Sequence, residues 1–194
     1  GWPVPLNHCR VGGGNTGKTD PQRVIDAVCA LAPMYGGINL EDIAAPACFE
    51  IEDRLEQLLD IPVFHDDQWG TAVITLAGVM NYAHWSNRKI EELRIVINGA
   101  GAAGIRIAEM LKSAGARQVV LCDTRGVIRR DRGDLAGKKL EHAADTQART
   151  VEEAMKGAHV FIGVSVADCI RSEAIEGMES RPAIFAMANP DPEI

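Results

Sequence analysis

Six consecutive residues, Gly99-Ala100-Gly101-Ala102-Ala103-Gly104, place glycine where a chain passing from a strand into a helix needs it to cradle a pyrophosphate. Gly99 permits the tight turn, Gly101 lets backbone approach a phosphate, and Gly104 lets the helix pack closely on the strand, with phosphates meeting the helix N-terminus. Glycines alone are a weak signal, because ordinary turns and helix caps produce the same pattern. The context makes it specific. Arg94-Ile95-Val96-Ile97-Asn98 is an apolar strand leading in, while Ile105, Ala108, Met110 and Leu111 recur at helical spacing beyond it. Val119-Val120-Leu121-Cys122 is a second strand, and it ends at Asp123, where a ribose-binding carboxylate belongs. The motif therefore reads as a dinucleotide site. Asp123 favours the 2′-hydroxyl of NAD, whereas the nearby Arg125 can take the 2′-phosphate of NADP, and both remain open. Arg129, Arg130 and Arg132 read at least as well as a solvated basic loop.

A second glycine motif, Gly12-Gly13-Gly14-Asn15-Thr16-Gly17-Lys18-Thr19, matches the P-loop pattern literally. Its context is wrong, because prolines interrupt the residues before it and the following helix starts only at Asp20-Pro21; a linker is the better reading. Two acidic pairs offer different chemistry. Glu41, Asp42 and Asp67, with Asp66 adjacent, are hard oxygen donors of the kind that Mg²⁺ or Mn²⁺ selects, presented from two loops. From spacing alone the alternatives stay open: Asp67 as a helix N-cap, and Glu41-Asp42 as a solvated turn.

The elements that must position these groups alternate. Asp20 caps a helix that runs to about Met34, Ile38 to Leu40 forms a short strand, and residues 46–59 form a second amphipathic helix. A run from Ile61 to Phe64 leads into His65-Asp66-Asp67 and then a helix over about 70–85. Strands are expected at 94–98, 118–122, 159–162 and 183–187, with helices at 102–114, near 150–156 and at 172–178. This alternation implies an α/β fold, a Rossmann-like doubly wound parallel sheet with helices on both faces, preceded by a helical segment carrying the acidic pairs. The expected domains are a tail at 1–19, that helical segment at 20–93 packing on the sheet domain, and the dinucleotide domain at 94–194.

Composition limits the partners. Among 194 residues, 46% are hydrophobic and the net charge is −7, with basic residues scattered; this excludes an electrostatic footprint for nucleic acid or an anionic membrane. The longest apolar run, residues 71–80, is interrupted by Gly78 and falls short of the roughly 20 residues that a bilayer requires. Five widely spaced cysteines fit reduced thiols and a cytoplasmic setting. The chain begins without Met and is expected to be part of something larger.

Longer motifs then add a family. Gly36-Gly37-Ile38-Asn39-Leu40-Glu41-Asp42-Ile43, Cys48-Phe49-Glu50-Ile51-Glu52, Pro62-Val63-Phe64-His65-Asp66-Asp67-Gln68, residues 98–104 and Phe185-Ala186-Met187-Ala188-Asn189-Pro190 resemble, in this order, the cofactor-binding domain of bacterial-type malic enzyme. The resemblance covers residues 20–194. It implies oxidative decarboxylation of malate to pyruvate and CO₂ with reduction of NAD or NADP. It also implies Glu41, Asp42 and Asp67 as ligands of Mg²⁺ or Mn²⁺, with Asp66 beside them in the catalytic site. Ala100 to Ala103 would line the pyrophosphate, Val164 and Ser165 would sit near the cofactor, and Asn189 would lie by the nicotinamide and malate. His65 is read as supporting rather than proton-transferring.

In the family a lysine base and a tyrosine acid come from a preceding domain, to which no segment here is matched; residues 1–19 show no likeness to the family. The chain alone is thus expected to turn over malate negligibly, and the whole protein to be a homo-oligomer. Trp69 stands where bacterial members usually carry His, which bears on the metal loop. The competing reading is a catalytically silent dinucleotide-binding module, and a third is another dehydrogenase of small hydroxy acids.

Overall fold

The computed structural model describes residues 20–194, so the glycine-lysine motif at 12–19 lies outside the described residues. The chain divides into two compact units, the first ending at Asp67 and the second comprising Gln68–Ile194.

In the first unit, Asp20 caps helix α1 (Pro21–Leu31) through its side chain, which accepts the backbone N–H groups of Gln22 and Arg23, while Pro21 occupies the first turn. A short 3₁₀ turn (Ala32–Met34) ends this stretch. Strand β1 (Ile38–Leu40), helix α2 (Ala47–Leu58) and strand β2 (Val63–His65) follow. Ile25, Leu40, Ile51 and Leu55 form the core of the unit, with Val24, Val28, Ile38 and Val63 packed around them. β1 and β2 pair in parallel with Leu40 opposite His65, so the residues following each strand emerge side by side. That register brings Glu41-Asp42 and Asp66-Asp67 to one end of the pair.

A π-helical turn (Asp66–Gly70) then leads into α3 (Thr71–Trp85). Asp67 is therefore not the N-cap of α3, the position being held by Gly70 without a side-chain bond. Val73, Ile74 and Met80 of α3 are exposed.

The second unit is built on strands β3 (Arg94–Asn98), β4 (Gln118–Asp123), β5 (Gly126–Val127), β6 (Val160–Gly163) and β7 (Ala183–Ala186), in the order β5-β4-β3-β6-β7. All neighbours are parallel except the short β5, which turns back on β4. Helix α3 belongs to this unit too, and helices α4 (Ala102–Ser113), α5 (Lys138–Glu141), α6 (Val151–Met155) and α7 (Ser172–Glu176) join it. The central strands are near-continuous apolar runs, as parallel strands covered on both faces must be; all four residues of β6 are buried. Val96, Cys122, Met155, Phe161 and Ile170 form the core on one side. The sequence reading missed β5 and α5, both shorter than any periodicity can mark.

The chain order reverses between β3 and β6, and ligands of open parallel sheets bind beyond the carboxyl ends of strands at such a switch point. There the backbones are too close for side chains. A Cβ on Gly99 would overlap the Val164 carbonyl oxygen, and its φ of +120° is one that other residues rarely adopt. A Cβ on Gly104 would overlap the carbonyl oxygen of Gly99, whereas one on Gly101 meets no atom within 4 Å. Gly104→Ala is accordingly expected to destabilise the fold by about 3 kcal/mol, the upper end of overpacking, because rigid backbone must yield. Gly101→Ala should lose about 1 kcal/mol or less. Urea denaturation followed by circular dichroism checks both, and equal losses would refute this division of roles.

Candidate functional site

The loop after β3, the end of β4 and the loop after β6 enclose a cleft of about 280 Å³ lined by Gly99, Ala100, Gly101, Asp123, Thr124, Lys139, Val164, Ser165 and Val166. Of the residues expected at the cofactor, Gly99, Ala100, Gly101, Asp123, Val164 and Ser165 are thus brought together. Ala102, Ala103 and Gly104 form the first turn of α4, whose leading N–H groups have no partner within the helix and favour an anion. The open space above Gly101 is what a pyrophosphate approaching backbone needs, so the residues present fit a dinucleotide. Arg125 and Asn189 are exposed and do not line the cleft. A larger hollow of about 410 Å³ beside Trp69, Leu76, Glu109 and Met110 has one charged lining residue, Glu109. Its carboxylate is already bonded to Arg106 and Lys138.

Asp123 sits in an ion cluster that the sequence did not reveal. Its Oδ1 accepts the Arg125 backbone N–H at 3.0 Å and Arg132 Nη1 at 2.9 Å; its Oδ2 accepts Arg132 Nη2 at 3.2 Å and Lys139 Nζ at 2.9 Å. A carboxylate offers about four acceptor positions, and all are engaged. A ribose hydroxyl seeking this carboxylate must therefore compete with a resident donor, and Lys139 is its most exposed side-chain partner, at 40% against 10% for Arg132. Arg125 turns its guanidinium to Asp134 at 2.9 Å, which leaves its backbone as the contact to Asp123. Arg132 is not part of a solvated loop. It bridges Asp123 and Asp134 and also donates to the carbonyls of Gly126 and Val127. Arg129 is likewise mostly covered and paired with Asp131.

Burial would raise the Asp123 pKa, but the hydrogen bonds from Arg132 and Lys139 outweigh it and hold the carboxyl at about 2. Cys122, its neighbour on β4, is pushed up to about 12 by burial and by Asp123, so it stays a neutral thiol. Two further histidines, His142 and His159, are also buried. His142 lies with Nδ1 2.9 Å from Lys112 Nζ and has its pKa lowered by burial and that ammonium, while His159 Nδ1 accepts the Arg94 backbone N–H.

The acidic pairs of the first unit meet in part. The Asp42 backbone N–H donates to Asp67 Oδ2 at 2.8 Å, made possible by a φ of +57° at Asp42, a conformation that Asp tolerates better than most residues. His65, fully buried, has Nδ1 4.0 Å from the same oxygen, and neither ring nitrogen meets a hydrogen-bond partner among the described residues. Glu41 and Asp66 are exposed. The donor types suit a hard divalent cation, but no three His, Cys, Asp or Glu side chains are gathered closely enough to hold one among the described residues.

In the second unit, Trp69 lies over the guanidinium of Arg106, 4.5 Å from ring centroid to Cζ, while Arg106 Nε donates to Gln68 Oε1 at 2.7 Å. The indole at this unusual position thus packs on the helix that begins at the glycine loop.

A five-stranded, mainly parallel sheet with a glycine-lined cleft at its switch point defines a Rossmann-like dinucleotide-binding domain. Comparison with known proteins identifies which. Residues 69–194 match the family description "Malic enzyme, NAD binding domain", and residues 4–56 match "Malic enzyme, N-terminal domain". The chain is 49% identical over 173 residues to the NADP-dependent malic enzyme of Rhizobium meliloti (strain 1021), covering 88% of this chain and 23% of the relative. It is 44% identical over 198 residues to the bifunctional malic/malolactic enzyme of Bacillus subtilis (strain 168), covering 100% and 46%. The crystal structure of the NAD-dependent malic enzyme from Thermotoga maritima superimposes with a TM-score of 0.86 at 42% identity, over 90% of this chain and 48% of that one. The chain belongs to the malic enzyme family, and spans between about a quarter and a half of the length of these relatives. The N-terminal match takes in residues 4–19, where the sequence reading saw no likeness to the family.

Because the folded Asp123 carboxyl holds its proton less tightly than an unfolded one, its pairing stabilises the fold above about pH 4 and is lost as pH falls toward 2. This contribution is on the order of 2 kcal/mol. Asp123→Asn should flatten the acid limb of a stability-against-pH curve over that window; an unchanged slope would show that the cluster is not fastened in solution.

Proposed function

We propose that this chain is the cofactor- and metal-holding part of an enzyme that oxidatively decarboxylates malate to pyruvate and CO₂ while reducing NAD or NADP. The observation that carries the reading is the cleft in which open space above Gly101, the start of α4 and the Asp123 cluster stand together. Gly101 and the first N–H groups of α4 hold the pyrophosphate, Asp123 with Lys139 forms the ribose wall while the Arg125 backbone N–H holds Asp123 in place, and Ser165 flanks the nicotinamide with Asn189 on the segment that leaves β7. Glu41, Asp42 and Asp67 hold Mg²⁺ or Mn²⁺, with Asp66 beside them; support comes from the shared strand end and the Asp42–Asp67 bond. A bound nicotinamide would supply the hydride acceptor for malate, and a bound cation would supply Lewis acidity for the loss of CO₂. The base and acid for the hydroxyl and enolate protons are assigned to no residue of this chain. A homo-oligomer is proposed as well, supported by the exposed Val73, Ile74 and Met80 on α3.

A second reading, a dinucleotide-binding module without catalysis, is favoured by the absence of a gathered three-donor set among the described residues. Calorimetry separates the two. Under the enzyme reading the full chain binds Mn²⁺ and Asp67→Ala weakens it about 10–100-fold, and the complete protein reduces NAD or NADP only with malate and Mn²⁺. Cofactor binding indifferent to Mn²⁺ and to Asp67→Ala, with no malate-dependent reduction, would establish the silent module instead.

A further inference from the structure

Glu193 is fully buried, yet no basic side chain pairs with it among the described residues. Its Oε1 accepts the Ser165 backbone N–H at 2.9 Å and its Oε2 accepts that of Ala188 at 3.1 Å. Those amides belong to the segments that leave β6 and β7, one lining the dinucleotide cleft and the other immediately preceding Asn189. The main chain repeats the connection, since the carbonyls of Pro192 and Glu193 accept the N–H groups of Asp168 and Ile170 at 3.0 Å each. Gly163, the last residue of β6, makes room for the carboxylate: the three atoms nearest to a Cβ placed there all belong to the Glu193 carboxyl group.

An uncompensated buried carboxylate is expensive unless its oxygens are well bonded. Hydrogen bonds to an ionised acceptor are about twice as strong as neutral ones, so a single side chain here adds to the backbone ties a fastening that reaches both loops. We propose that Glu193 is a positioning residue for the cofactor, its carboxylate pinning the loops after β6 and β7 so that Val164 and Ser165 stand preformed at the cleft and the segment leading to Asn189 is tied to them. It acts through those backbones and touches no reacting atom. The inference rests on the dinucleotide reading of the cleft. Sequence inspection passed over Glu193 because a lone acid after Asn189-Pro190-Asp191-Pro192 looks like a solvated turn.

The test measures the dissociation constants of NADH and NADPH by nicotinamide fluorescence on the full chain and its variants, well below each melting midpoint. Glu193→Gln keeps one acceptor and turns an NH₂ toward an amide N–H, so binding should weaken about tenfold; Glu193→Ala, with no acceptor, should weaken it further. Gly163→Ala, whose methyl meets the carboxylate, should move binding in the same direction and stands in if Glu193→Ala does not fold. This graded order, Glu above Gln above Ala, is not what a purely structural residue gives: that would lower melting temperatures while folded variants bound as tightly as the parent. Folded variants binding within about twofold of the parent would overturn the proposal and leave the cofactor reading intact. A parent chain that binds neither dinucleotide would overturn both.

Discussion

Close approach of backbones at the ends of β3 and β6 is the constraint on which the second unit depends. Gly99 can lie against the Val164 carbonyl, and Gly104 against the Gly99 carbonyl, only because neither has a side chain. Hydrogen bonds then lace the strand ends together: the Gly99 N–H donates to the Cys122 carbonyl at 3.0 Å and the Val164 N–H to that of Asn98 at 2.9 Å. Three strand ends and the start of α4 are thereby fixed with respect to one another. The cleft is the space this arrangement leaves, which is why Gly101, alone of the three motif glycines, faces room rather than protein. Two glycines serve packing and one serves access.

Charge completes the wall that packing begins. The excursion between β4 and α6 has little regular structure, since β5 has two residues and α5 has four, and only Val127 and Ile128 of it are fully buried apolar residues. It is fastened by Arg132 and Lys139, which reach back to Asp123, and by Arg132 donating to two carbonyls of β5. Bidentate guanidinium–carboxylate bonds fix direction as well as distance, so the cluster specifies where this edge of the cleft stands. Stability and the shape of the cleft here draw on the same bonds. The depressed Asp123 pKa and the geometry of the cleft are two expressions of one ion cluster.

Local chemistry was the legible part of the sequence. The Asp20-Pro21 cap, the apolar run 94–98, the glycine loop and the acid closing β4 each follow from rules acting within a few residues, and each stands where expected. What escaped depends on partners distant in sequence. Arg132 looked solvated because nothing beside it announces Asp123, Lys139 carries no motif, and the carboxylate pocket of Glu193 exists only once Gly163, Ser165 and Ala188 have been folded around it. Asp67 resembled a helix cap because spacing cannot distinguish the start of an α-helix from a π-helical turn. The family motifs did point to Val164 and Ser165, which line the cleft, since a long ordered string of residues carries the outcome of tertiary contacts that no periodicity encodes.

The first unit shows how little structure is needed to bring acids together and how much to complete a set. Three residues pairing with three, in parallel, suffice to bring two acidic pairs out at one end. The left-handed turn at Asp42 then swings its N–H onto Asp67, which satisfies a backbone donor and holds one carboxylate oxygen in place. That bond uses one of about four acceptor positions, so Asp67 can keep its amide and still present oxygens to a cation. The buried ring of His65, without a hydrogen-bond partner among the described residues, lies with Nδ1 4.0 Å from the same oxygen. A carboxylate held from behind by an amide, with an imidazole at its flank, has the direction of its oxygens set by the backbone that folds around it rather than by a partner side chain.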